Sequence, residues 1–278
     1  MKSFDYETYY KNRNNSYAEH VKETGKRKAK YLKNFLKNIH NRNIIAEVGT
    51  GPGDVLNAFD EFAVKIGIDI SANSIQSHIN SYFEEKINIA DLNIDFEVFY
   101  KDNISRLEIL EGFKKRMVYS DKNLFLIIIK PDLPLPIENK SIDCLLLCDI
   151  VEHVNNPIAF LKDAARISDS LLIKFPVERS LLVLLMSKLR GVKYGVNHPS
   201  GHLYCWNLKQ IFSLLKNSNI SLIEYEYEPN KYKFSEEKYF IKKIAFSFVN
   251  FLDHLFSSKY FFSRLFLGGS LYMYAKAK

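Results

Sequence analysis

Two carboxylates stand where a cationic nucleoside would meet them. Glu47 lies in Ile44-Ile45-Ala46-Glu47-Val48-Gly49-Thr50-Gly51-Pro52-Gly53, an apolar run that passes directly into three alternating glycines. Twenty-two residues after Glu47, Asp69 closes a second apolar run, Lys65-Ile66-Gly67-Ile68-Asp69-Ile70. Alternating glycines let a backbone approach a ligand closely and take φ values closed to other residues. A strand-end aspartate is placed to accept both ribose hydroxyls. A dinucleotide fingerprint would require glycine at position 54, facing a pyrophosphate. Asp54 stands there and would repel one. Glu47 instead favours a positively charged ligand group, and S-adenosylmethionine, with its sulfonium and amino group, fits that demand better than NAD.

A second set of residues could move protons. His153 follows an apolar run that ends at Asp149, and His198 and His202 lie in Asn197-His198-Pro199-Ser200-Gly201-His202-Leu203-Tyr204-Cys205-Trp206. A histidine base suits a hydroxyl nucleophile. Of the three, His153 and His202 are the candidate catalytic residues. Histidines four apart also suggest metal, but Pro199 and Gly201 argue against the helical pair such a site favours, and no metal is expected. Glu152 reads as an N-cap or ion-pair partner for the helix after it.

The elements that must position these residues follow from apolar, β-branched runs near 44–49, 64–70, 125–130, 143–149, 170–176, 220–228 and 270–277. Helical patterns separate most of them. The pattern predicts an α/β fold, a doubly wound seven-stranded mostly parallel sheet with helical additions. It is read as a single domain over 1–278, with its cofactor-binding core at 44–178. Residues 104–118 are helical in pattern. Segments 179–219 and 232–268 are expected to cover the acceptor, the second either as a lid or as a helix lying on a membrane surface.

Residues 1–43 carry eleven Lys/Arg against four Asp/Glu, so the whole formal charge of +7 resides there. With Val21, Tyr31, Leu32, Phe35, Leu36 and Ile39 at helical spacing, this reads as an amphipathic helix. Its basic face is either simply solvated or a surface for phosphates, on nucleic acid or anionic lipid. Three cysteines, two of them in an apolar run, make no disulfide framework. No signal-peptide core and no run long enough to span a bilayer is evident, so the expected location is cytoplasmic, with peripheral membrane contact left open.

The run Leu135-Pro136, Ser141-Ile142-Asp143, Glu152-His153 and Asn156-Pro157 resembles the class I S-adenosylmethionine-dependent methyltransferases, in a subgroup with a Glu-His pair after the fourth strand. Phe175-Pro176-Val177-Glu178 and the Gly201-His202 pair fit the same pattern, and Ile142 replaces its usual Phe. The resemblance implies a Rossmann-like methyltransferase fold with S-adenosyl-L-methionine as cofactor. It places the methionine moiety on Glu47 and the backbone of Gly49, Thr50 and Gly51, the ribose on Asp69, the adenine against Ile70 and Asp132, and the sulfonium beside Cys148 and Asp149. Sequences of this pattern suggest a small-molecule, glycan or lipid acceptor. A nucleic-acid methyltransferase using the basic N-terminus is the first alternative, but no Asp/Asn-Pro-Pro-aromatic loop follows the fourth strand, where Asp149-Ile150-Val151-Glu152 stands. A non-catalytic cofactor-binding module is the second.

Overall fold

The structure is a computed structural model that describes residues 15–83, 117–121, 124–129, 134–135, 137–230, 240–256 and 260–278. Its centre is an eight-stranded sheet: β1 (Ile44–Val48), β2 (Val64–Asp69), β3 (Met117–Asp121), β4 (Leu124–Ile128), β5 (Cys144–Cys148), β6 (Ser170–Val177), β7 (Ile220–Pro229) and β8 (Gly269–Ala277). They lie in the order β3-β4-β2-β1-β5-β6-β8-β7. β4, β2, β1, β5 and β6 run parallel, whereas β8 is antiparallel to both β6 and β7. All seven expected strands are present.

The eighth, β3, pairs antiparallel with β4 at the edge. It occupies Met117 and Val118, the end of the stretch whose spacing predicted a helix; residues 104–116 lie outside the described residues. Met117-Val118-Tyr119 has the β-branched and aromatic character of a strand, and pairing with β4 decides its state.

Strands β1 and β5 are buried along their whole length, which is why they read as unbroken apolar runs rather than alternating ones. Asp143, from the Ser141-Ile142-Asp143 motif, joins their starts: its carboxylate accepts from the backbone N–H of Asn43 at 2.9 Å and of Ile44 at 2.8 Å. The helices are α1 (Asn15–Lys33), which precedes β1, then α2 (Ala72–Phe83), α3 (Pro157–Ile167), α4 (Leu181–Leu189) and α5 (Leu208–Asn217). Asn156 caps α3 by accepting from Ala159 N–H, with Pro157 in the first turn. Asn207 and Gln210 form a capping box on α5. Glu152 does not cap α3: Asn156 already does, and Glu152 sits a turn earlier, fully buried.

The N-terminal helix presents Lys22, Lys26 and Lys30 to solvent on its outer face. Tyr31 stacks on Tyr272 of β8 at 4.5 Å, while Lys33 pairs with Glu61 and Lys37 with Glu224. Lys28 points inward. Helices α6 (Phe240–Leu255) and α7 (Phe261–Phe266) pack on each other and on α4 around Val249 and Leu267. No helix among the described residues is long and apolar enough to cross a membrane.

Candidate active site

A cavity of about 440 Å³ opens at the carboxyl ends of β1, β5 and β6. Ligands of open α/β sheets bind outside these strand ends, and the volume suits an adenosine-sized molecule. Its floor is the glycine loop after β1. Gly49, Gly51 and Gly53 all have positive φ, at 73°, 53° and 80°. A Cβ at Gly53 would lie 2.1 Å from the ring of His78 on α2, so glycine here serves packing as well as backbone freedom. His78 joins loop to helix, with Nδ1 3.3 Å from Thr50 Oγ1 and Nε2 2.9 Å from Asn57 Oδ1. Burial pushes its pKa down to about 3, which keeps the ring neutral.

Glu47 faces the cavity from β1 and is 2% exposed. Its carboxylate accepts from Leu56 N–H at 3.1 Å and Thr50 Oγ1 at 3.4 Å. Burial pushes its pKa up to about 8, against the pull of Lys28 and these hydrogen bonds. A buried acid whose proton is held this firmly at the wall of a cavity is a site that a ligand cation would complete.

Asp69 is placed differently from the expectation that it simply faces a ribose. It is buried, and its two oxygens accept from Gly51 N–H and Ser71 N–H, each at 2.9 Å. It thereby fixes the glycine loop against β2. Ile70 follows, half-buried against the main core. Asp132 lies outside the described residues; the loop after it is anchored by Arg166, which donates to the carbonyls of Leu135 and Ile137, and by Asp163, which accepts from Leu135 N–H.

At the far wall, Cys148 and Asp149 end β5. Burial drives the Cys148 thiol up, so it stays protonated and donates to Glu47. Asp149 takes a left-handed backbone, φ 53°, which costs a non-glycine residue on the order of 1–3 kcal/mol unless its surroundings impose it. Here two lysines do. Lys174 of β6 bonds one carboxylate oxygen and Lys28 of α1 approaches the other at 2.7 Å. Burial would raise the Asp149 carboxyl, but Lys174 and Lys28 override it and hold it well below the usual carboxylate range. Burial also works against the Lys28 ammonium, and Asp149 keeps it charged.

The three histidines cluster. His153 and His202 both line the cavity. His202 stacks on His198 at 4.3 Å and meets the edge of His153 at 4.8 Å. Its Nδ1 is 2.8 Å from Glu178 Oε2, and its Nε2 is 4.0 Å from Glu152 Oε1. Burial would lower its pKa, but the Glu178 contact raises it overall. Burial lowers the pKa of His153 to about 4.

Lys28, Lys174, Glu178 and Gly25 were not anticipated. Lys174 carried a signal: a lone cation in Leu171-Leu172-Ile173-Lys174-Phe175 is costly in a buried strand unless paired. Gly25 in a helix is another, since a Cβ there would lie 2.3 Å from the Asp54 Cβ. Glycine lets α1 settle on the glycine loop and close the cavity from above. Among the described residues, α4, α6 and α7 contribute nothing to the cavity wall, so the expected cover reaches it only through Ser200 and His202.

Residues 17–225 match a family model described as Methyltransferase domain. The chain belongs to this family. No protein of curated function matches the methyltransferase at the level of sequence. Its fold recurs in solved structures. A Haloferax volcanii methyltransferase, solved in complex with the Trm112 methyltransferase activator, is 13% identical, with 100% of this chain and 99% of that one covered and a TM-score of 0.57. Magnesium protoporphyrin IX methyltransferase from Synechocystis PCC 6803 with bound SAH is 11% identical, covers 96% and 89%, and scores 0.53. The cyclase SpnF is 11% identical, covers 94% and 82%, and scores 0.50. At such identities the likeness shows the fold alone, and a cyclase among them makes that plain. Together with the family, the site identifies an S-adenosyl-L-methionine-dependent methyltransferase, and the buried Glu47 acid and the glycine cradle fit that cofactor.

Proposed function

We propose that this methyltransferase acts on a hydroxyl of an acceptor held at a lipid surface, a lipid or a lipid-linked glycan. Glu47 and the backbone of Gly49, Thr50 and Gly51 would hold the methionine end of the cofactor. Asp69 and Ile70 would border its ribose and adenine, and Cys148 and Asp149 its sulfur. His153 and His202 would act on the acceptor. When bound, S-adenosylmethionine supplies a methyl group on an excellent leaving group, so the protein's part is alignment, worth up to ~7–11 kcal/mol.

The observation that carries the lipid reading is α4. Its sequence, Leu181-Leu182-Val183-Leu184-Leu185-Met186-Ser187-Lys188-Leu189, is almost wholly apolar, yet none of its side chains is buried. Leu189 is 72% exposed. Phe248, Phe251, Phe256 and Phe261 are exposed on the helices that pack beside it. The exposed charges described on and around this layer are basic, at Lys188, Arg190 and Lys193. Asp253, the one carboxylate described there, is buried. An apolar layer flanked by cations matches an anionic membrane interface, where each Lys or Arg adds ~1 kcal/mol.

Flotation with vesicles containing phosphatidylglycerol tests this, together with transfer of labelled methyl groups to a total lipid extract. The expected result is binding that Leu185→Asp with Leu189→Asp removes, and label in the organic phase. Label confined to water-soluble acceptors, with no flotation, would overturn the lipid reading.

A further inference from the structure

Glu152 is 0% exposed, and neither carboxylate oxygen has a hydrogen-bond partner. Leaving a buried carboxyl this way is costly unless it keeps its proton or meets a cation. The two neighbouring histidines are oriented for the second outcome. His202 Nδ1 lies against Glu178 Oε2 at 2.8 Å, so Nδ1 carries the proton and the Nε2 lone pair is the one 4.0 Å from Glu152 Oε1. His153 Nδ1 lies 3.3 Å from the carbonyl oxygen of Gly201. A carbonyl only accepts, so His153 also donates from Nδ1 and holds its lone pair on Nε2. Metal-binding histidines are oriented in this way, one ring nitrogen on a carboxylate or a carbonyl and the other on the ion.

We propose that Glu152, His153 and His202 form a site for a divalent cation of the zinc class, with its open side toward the cavity. Two histidines and a glutamate with one position left open is the ligand set of catalytic zinc sites. The three ligand atoms lie within 4.8 Å of one another. A tetrahedral ion with ligands at ~2.0–2.1 Å draws them to roughly 3.3 Å, a closure within reach of side-chain rotation. A second grouping, Glu178, His198 and His202, shares His202. It is the poorer ligand set, because Glu178 already accepts from His202 and so serves better as the outer partner that orients it. Charge agrees as well. Glu47, Asp54, Asp149 and Glu178 line the cavity and Glu152 stands behind it, against only Lys28 and Lys174. The sequence argued against metal because Pro199 and Gly201 separate His198 from His202; the fold brings His153 from the end of β5 instead. An acceptor oxygen as fourth ligand rests on the proposed methyl transfer. Ion binding itself does not.

The test is titration of chelator-treated protein with Co²⁺, followed by visible absorption, and with Zn²⁺, followed by calorimetry. The expected result is one saturable equivalent with tetrahedral cobalt bands. Glu152→Gln and His153→Gln should weaken binding at least 100-fold. Glu178→Gln should weaken it about 10–100-fold, the usual effect of losing an outer partner. His198→Ala should leave it unchanged. Thermal midpoints without metal confirm that each variant folds. No saturable binding by the parent protein overturns the site, and so does binding that survives Glu152→Gln or is lost in His198→Ala. A thermal-shift titration with S-adenosylmethionine on the same metal-free samples keeps the two readings apart: stabilisation by the cofactor without ion binding sinks the metal site alone, and absence of both sinks the methyltransferase reading as well.

Discussion

Lys28 of the N-terminal helix and Asp149 at the end of β5 meet at 2.7 Å across the cavity. The contact latches α1 to the strand end beside which the cofactor's sulfur is proposed to lie. Replacing Lys28 by Met leaves Asp149 with Lys174 alone. The expected loss is about 1.5–3 kcal/mol of stability, the range for a hydrogen bond to a charged group. Urea unfolding of Lys28→Met, Asp149→Asn and the double variant measures it. Additive effects of the two substitutions would mean that the latch contributes nothing.

Glu47 makes cofactor binding pH-dependent. Its pKa of about 8 in the fold lies above the ordinary glutamate value. Its contribution to stability is therefore complete below the ordinary value and lost as pH rises through about 8. A cationic ligand binds the ionised form, so binding releases a proton and affinity rises with pH up to about 8. Calorimetry of S-adenosylmethionine binding at pH 6.5, in buffers of different ionisation enthalpy, should show close to one proton released. Glu47→Gln should weaken binding about 10–100-fold, as for loss of a charge-assisted contact, and remove the pH dependence. A dissociation constant unchanged between pH 6 and 8 in the parent protein would contradict this.

Gly25→Ala tests the closure of α1. The new methyl would lie 2.3 Å from the Asp54 Cβ, so helix and loop must separate. Overpacking of this kind costs about 1–3 kcal/mol. Cofactor affinity should fall with stability, because the displaced loop is the floor proposed for the cofactor. A variant with normal stability and normal affinity would show that α1 yields without disturbing the site.

Asp253 organises the apolar helical layer. It accepts from Phe262 N–H at 2.8 Å and from Ser263 N–H at 2.9 Å, at the start of α7. Its loss removes a cap of the kind worth about 0.5–2 kcal/mol. Asp253→Ala should raise hydrogen exchange across α7 while cofactor binding stays intact, since α7 lines no part of the cavity.

Much of this was legible because it is local. Ile44 to Gly53 and Lys65 to Ile70 encode strand, turn and carboxylate within a few residues of one another. The less legible features are those made by convergence. Lys28, Asp149 and Lys174 lie far apart in the chain and meet because β6 places Lys174 opposite Cys148. Glu178 reaches His202 across 24 residues, and His153 reaches Gly201 across 48. Asp69 was read correctly as a strand-end carboxylate, but its use by the protein's own backbone depends on the loop's exact path. Strand β3 escaped because its state is set by a partner strand rather than by its own spacing.

The position of β8 has a consequence for the order of assembly. It comes after both of its neighbours in the chain, yet lies between them, pairing with β6 from Ser170 to Val177 and with β7 from Ile220 to Pro229. Until β8 arrives, β6 has an open edge and β7 has no partner strand at all. Such long-range pairings form slowly and leave strand edges exposed in the meantime. A nascent chain of this protein would thus carry its cofactor loop and the β5 strand end early, and complete the wall formed by Gly269 and Ser270 last.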